Sequence, residues 1–191
     1  VDFARYLPLS AAPARDEAGI GPDAAAAVAL VIAEAARIAA ANANEGPLVR
    51  AFVQAAHLAS DAASAADLAR TGETGSSRPP RIRELTAAVR ALLVLADAAG
   101  TSPDLPDAVW GRVALYGATR ADFARRAALR GNTVAASDAE WSFGRGPVLR
   151  APQRDIVRFV LGLSDVPPRV SAPGSVQAPP ESAPTRPDTS M

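Results

Sequence analysis

Cysteine and lysine are absent from the sequence, and histidine occurs once, at His57. Without cysteine the chain can form no disulfide, present no thiolate nucleophile and build no Cys-ligated zinc or iron–sulfur centre. A single histidine excludes any site that needs two imidazoles. An excess of one charge is missing too: 20 basic residues stand against 20 acidic ones, with no block of like sign. Nucleic-acid phosphates select a basic stripe, so no nucleic-acid partner is expected. The longest apolar stretch, 24–41, is mostly alanine and contains Glu34 and Arg37, so no membrane span is expected either. The opening Val1-Asp2-Phe3-Ala4-Arg5 does not read as a basic-then-apolar leader. The chain is expected to be soluble and cytoplasmic.

What is abundant is alanine, with 46 of 191 residues. Once alanine is set aside, the hydrophobic share of 49% falls to roughly a quarter, enough for one compact core. All 20 basic residues are arginine. With so much alanine, this reads as the bias of a GC-rich genome rather than as a binding feature.

Residues 166–191 hold seven of the 17 prolines, no aromatic residue, and only valine and the terminal methionine as large apolar side chains. Such a segment buries too little surface to offset its ordering entropy, which predicts a disordered Pro-rich tail after one domain over 1–165. Within that domain, 1–21 should pack irregularly. A first helix is expected from Pro22 to Asn42, and a second from Pro47 to Arg70 with Leu48, Phe52, Val53, Ala56 and Leu68 as its apolar stripe. The Gly, Ser and Pro of 71–80 predict a mobile loop.

A third helix over 81–99 carries Ile82, Leu85, Val89, Leu92 and Leu93 on one face and stops at Gly100. Ser102-Pro103 reads as a cap and first turn for a fourth helix to Tyr116, and Thr119 with Asp122 as a capping box for a short fifth helix to Leu129. Beyond Gly131, 133–136 and 148–150 are short, β-compatible and separated by Gly144, Gly146 and Pro147, which predicts a small hairpin or ribbon. Pro152 opens a closing helix to Leu163. The expected class is mainly α, a bundle of four or five helices with a small C-terminal β-hairpin and a closing helix.

Residues 131–150, with Asp138, Trp141, Gly144, Gly146 and Pro147, followed by a helix ending Leu161-Gly162-Leu163, resemble the closing segment of the actinobacterial maleylpyruvate isomerase-like, mycothiol-dependent proteins. A second stretch, 45–58, resembles the helix that carries that family's first metal-ligand histidine, with Pro47 standing where the family has Trp. The two stretches cover about a fifth of the chain. The resemblance implies a DinB-like bundle. In it, one histidine and a Glu-x-x-x-His pair on the third helix hold a divalent metal that activates mycothiol or water. This sequence departs from that pattern, because Ala88 lies four residues after Glu84 and the third helix has no histidine.

His57 and Asp61, spaced i, i+4 on the second helix, could both face one ligand, and Glu84 or Asp97 from the next helix would add a carboxylate. His57, Asp61 and Glu84 are thus the candidate ligands of a divalent metal such as zinc. The plainer alternative is a hydrogen-bonded or half-exposed histidine beside a surface carboxylate. Asp138 and Glu140 with Arg145 and Arg150 are expected to form cross-strand ion pairs, and Trp141 to anchor packing. Arg120, Arg125, Arg126 and Arg130, with Asp122 among them, read as a solvated helix face. Ser60 and Ser64 lack the context of a catalytic serine.

Two functions stay open at this level. One is a non-catalytic binding or structural member of the family, taking a small-molecule or thiol ligand. The other is a metal-dependent thiol transferase or isomerase with a substituted site. A homodimer through the Ala-rich first helix is compatible with either.

Overall fold

The computed structural model describes residues 24–74 and 80–170. Helix α1 (Ala24–Ala40) turns Ala27, Val31, Ala35, Ile38 and Ala39 inward, three and four residues apart. It packs on α2 (Glu45–Ala55), α3 (Ala65–Thr74) and α4 (Ile82–Ala98). Alanine along α1 and glycine on α3 let these backbones approach closely: a Cβ added at Gly72 would lie 3.2 Å from Ile32 Cγ2. Phe52, Leu68, Leu85, Val89 and Leu92 complete this part of the core, each at most 1% exposed.

The second half is built on α5 (Asp107–Arg120), α6 (Phe123–Leu129) and α7 (Gln153–Val160), with strands β1 (Thr133–Ala136), β2 (Ser142–Gly144), β3 (Val148–Ala151) and β4 (Arg169–Val170). Helix α5 packs on α7 and on α4, and α7 reaches β1. Val113, Leu149, Ile156 and Phe159 join the same continuous core. Among the described residues the protein is therefore mainly helical with a small four-stranded sheet, and no helix is long and apolar enough to cross a membrane.

Several expected boundaries differ. The single helix over 47–70 is two helices, broken across 56–64. Ser64 caps α3 by accepting Asp67 N–H at 3.2 Å while its hydroxyl donates to the Asp67 carboxylate at 2.8 Å. The Glu45 carboxylate accepts the Ala65 N–H, so α2 caps α3 across the break. Residues 71–74, expected in a loop, are the last turn of α3. Helix α5 starts four residues after Pro103, because Leu105 precedes Pro106 and is disfavoured from helical geometry. Helix α6 is capped by Asp122, whose carboxylate accepts Arg125 N–H at 2.9 Å, rather than by Thr119.

The sheet is also more than a hairpin. β1 pairs antiparallel with β2, while β3 runs parallel to β1 on its other side and β4 closes the edge against β3, in the order β2-β1-β3-β4. Gly144 and Gly146 make the return after β2, at φ 95° and 118°. A Cβ at either would come within 2.3 Å of a backbone carbonyl oxygen, Asn132 O or Gly131 O. Arg169 and Val170 belong to the sheet rather than to a tail. The remaining tail, 171–191, the opening 1–23 with Pro22, and 75–79 lie outside the described residues.

Candidate functional site

The break after α2 is made by the only histidine. Ala56 ends the helix, the His57 N–H donates to Gln54 O at 3.2 Å, and the Leu58 N–H donates to Val53 O at 3.1 Å. These are the two bonds of a Schellman stop, which places its central residue in the left-handed region. His57 sits there at φ 53°, the one non-glycine residue with positive φ among the described residues. Helices α4 and α7 end by the same pair of bonds, with Gly100 and Gly162 at that position. Glycine adopts this geometry without steric penalty, whereas a side chain costs about 1–2 kcal/mol. The i, i+4 helical relation expected for His57 and Asp61 therefore does not exist, because Asp61 lies beyond the stop.

His57 lines a cavity of about 720 Å³ between α1, the turn after α2, α3 and the start of α4. Val28 and Ile32 of α1, Leu58, and Ala87 of α4 provide apolar walls, and Gly72 leaves room on the α3 side. Four residues bring polar side chains to it: His57, Thr71, Arg83 and Glu84. The Thr71 hydroxyl is already used, bonded to Ser60 Oγ at 2.9 Å and to Asp67 O at 3.0 Å. Glu84 accepts the Arg81 N–H at 2.8 Å, holding the first turn of α4, and lies 3.8 Å from Arg83 Nε. The Arg83 side chain is 61% exposed, and the His57 ring is hydrogen-bonded to no described residue.

The structure thus brings His57 and Glu84 to one cavity. Asp61 does not line it; it borders a shallower depression that His57 also touches. Asp97 is elsewhere, accepting Arg158 Nη1 with both carboxylate oxygens at 2.8 Å to join α4 to α7. Among the described residues no three His, Asp or Glu side chains converge as ligands of one ion would. A guanidinium, that of Arg83, sits beside the one carboxylate that shares the cavity with His57.

The other polar clusters are occupied in holding elements together. Trp141 lies on Gly111 of α5, stacks with Phe143 at 6.1 Å, and donates its indole N–H to Gln153 Oε1 at 3.1 Å. Gln153 donates onward to Asp107 at 2.8 Å, and its backbone N–H to Asp138 at 2.8 Å. Asp138 is therefore an anchor for the start of α7 rather than a partner for Arg145 or Arg150, and Glu140 forms no ion pair with either arginine. Arg125, expected on a solvated face, is only 20% exposed in its side chain. It pairs with Asp122 and Asp165, and its guanidinium stands 5.8 Å from the Phe159 ring centroid. Arg120 lies over Tyr116 at 5.7 Å.

Glu34, which interrupts the apolar stretch of the first helix, is the one buried charge among the described residues. Its carboxylate accepts Arg37 Nε and Nη2, each at 2.7 Å, and the Asp104 N–H at 2.7 Å. Burial alone would raise its pKa, but the Arg37 hydrogen bonds, the Asp104 N–H and the Arg37 charge together hold it below the ordinary carboxylate value. Its i, i+3 spacing to Arg37 was visible in the sequence; the bond to Asp104 was not. Compared with models of protein families, with curated proteins and with solved structures, the chain matches none.

Proposed function

We propose that the chain is a non-catalytic binding protein, a divergent member of the DinB-like, maleylpyruvate isomerase-like family, that takes a small, largely apolar molecule in the cavity beside His57. One observation carries this reading: a cavity of about 720 Å³ has apolar walls and only a few polar side chains, among them His57 and Arg83, a balance typical of ligand pockets. The family resemblance is supported by the roles its matching positions play. Gly144, Gly146 and Gly162 occupy backbone conformations that favour glycine, and Asp138 anchors the closing helix.

Titration of the full chain with N-phenyl-1-naphthylamine, a neutral fluorescent probe, tests the reading. We expect saturable one-site enhancement that is abolished by Ala87→Phe, which fills the cavity, and by Ala29→Phe from the opposite wall. Ala33→Phe, on the exposed side of α1, should leave it intact. Circular dichroism verifies that each variant is folded. Absence of binding by the folded parent protein would overturn the proposal.

A second reading is a metal-dependent thiol transferase that uses His57, Asp61 and Glu84. It is favoured by His57 and Glu84 sharing a cavity and by His57 and Asp61 sharing the adjoining depression. Elemental mass spectrometry of the purified protein decides between the two: one equivalent of zinc, lost in His57→Ala, would replace the binding reading with this one. Dimerisation through α1 would use its exposed apolar residues Ala26, Leu30, Ala33 and Ala40; sedimentation at high concentration checks it.

A further inference from the structure

The geometry points to a carboxylate-headed amphiphile as the ligand of this cavity, with Arg83 and His57 holding the head group and the apolar walls taking the tail. This inference rests on the binding reading above and adds the chemical class. The charged and imidazole side chains that line the cavity lie on its more exposed side: His57 and Arg83 are exposed, and Glu84, held by the Arg81 N–H, is one-third exposed. The apolar side is made of buried Ile32 and half-buried Val28, Leu58 and Ala87. A ligand that fills both must therefore be apolar at one end and polar at the other.

The sign of the polar end follows from how the three groups are used. Glu84 already accepts the Arg81 N–H and stands near Arg83, so a cationic head would compete with both for one carboxylate. Among the described residues Arg83 has only that long 3.8 Å contact, which leaves most of its planar fork of donors for a carboxylate. His57 lines the same cavity and adds a ring nitrogen donor, on a backbone whose left-handed conformation fixes where the side chain leaves the chain. Such strain at a cavity edge is a common mark of a residue kept for its side chain, since glycine serves the same stop in α4 and α7. Thr71 is withdrawn from the ligand by its bonds to Ser60 and Asp67.

Competition against N-phenyl-1-naphthylamine with four ten-carbon compounds that differ only in the head tests the assignment: decanoate, methyl decanoate, decanol and decylamine. We expect decanoate to displace the probe at a concentration at least about fivefold lower than decanol or the ester, and decylamine to be the weakest. Arg83→Gln, an exposed substitution that leaves the walls alone, should abolish the preference for decanoate while leaving decanol unchanged. His57→Gly should reduce it by about threefold without loss of folding.

Equal displacement by decanoate and decanol, a preference for decylamine, or an undiminished decanoate preference in Arg83→Gln would each overturn the head-group assignment while leaving the cavity reading in place. Failure of the probe and of all four compounds to bind the folded protein would instead remove the cavity reading itself.

Discussion

His57 and Gly162 occupy the same position in two identical helix stops, at φ 53° and 73°, one bearing an imidazole and the other no side chain. The two sites form an internal comparison of what a Cβ costs in this geometry. His57→Gly should stabilise the protein by about 0.5–1 kcal/mol, the relief of left-handed strain less the extra freedom glycine gives the unfolded chain. In a chain of this size, that corresponds to a rise in Tm of about 1–4 °C. Gly162→Ala should move Tm the other way. Thermal unfolding of both variants measures the pair, and a destabilised His57→Gly would show that the imidazole contributes more to stability than its backbone costs.

Gly117 on α5 faces Val160 on α7, where an added Cβ would lie 2.7 Å from Val160 Cγ2. Gly117→Ala gains helix propensity but forces the two helices apart, for a net loss of about 1–2 kcal/mol. Val160→Ala alone leaves a void. Together the two changes should cost less than the sum of their separate effects, because the new methyl takes the space the valine gives up. Urea midpoints of the four proteins in the cycle supply the coupling, and strict additivity would show that α5 and α7 do not meet this closely.

Gln153 joins three elements through its side chain and backbone: Trp141 donates to it, it donates to Asp107, and its N–H reaches Asp138. Gln153→Ala removes the first two of these and should cost about 1–2 kcal/mol. Trp141 emission should shift to longer wavelength as its indole loses its partner. Trp110, 3% exposed and bonded to Leu105 O at 3.1 Å, should be unaffected, so Gln153→Ala in a Trp141→Phe background should show no shift. An unchanged urea midpoint would mean that water replaces the amide without penalty.

Glu34 gives the protein a definite acid response. Because its folded pKa is lowered, it is more strongly ionised in the folded state, and the stability it contributes is present above its ordinary value of 4.5. That stability is lost as pH falls through 4.5 and toward the folded pKa. Glu34→Gln keeps an acceptor for the Asp104 N–H but removes the titration. The parent protein should thus be more stable than the variant at pH 6, by about 1 kcal/mol, and the gap should close on acidification. Urea unfolding from pH 6 to pH 3 tracks the difference, and a gap that widens below pH 4.5 would reverse the sign assigned here.

Most of the helical frame was legible because it is written in local signals. The apolar spacing of Leu85, Val89 and Leu92 and the stop at Gly100 marked α4, and Ile156, Phe159 and Val160 before Gly162 marked α7. The break between α2 and α3 was missed although Ser64-Ala65-Ala66-Asp67 is a serviceable capping box. Alanine on both sides let a continuous helix look equally good, and a histidine in a glycine position gave no warning of the stop. The start of α5 differs because Ser102-Pro103 carries a start cue like the one that Pro106 supplies three residues after Pro103.

Of the candidate site, the sequence supplied the residues and the fold supplied their company. His57 and Glu84 were singled out and do share a cavity, whereas Asp61 and Asp97 do not line it. Arg83, beside Glu84 in the chain, was passed over because a lone exposed arginine on a helix carries no signal until a cavity opens next to it.

By itself the sequence determined the helical class, the turns that need Gly144, Gly146 and Gly162, and the chemistry that no cysteine and one histidine exclude. Only the tertiary structure decided that β3 runs parallel to β1, that Asp97 belongs to Arg158, and that His57 shares an apolar hollow with Arg83 and Glu84. The division has a physical cause. Helix periodicity, caps and left-handed turns are settled within about four residues of chain, where the sequence is its own environment. Strand partners, ion pairs and cavities depend on which distant faces meet once the core has packed.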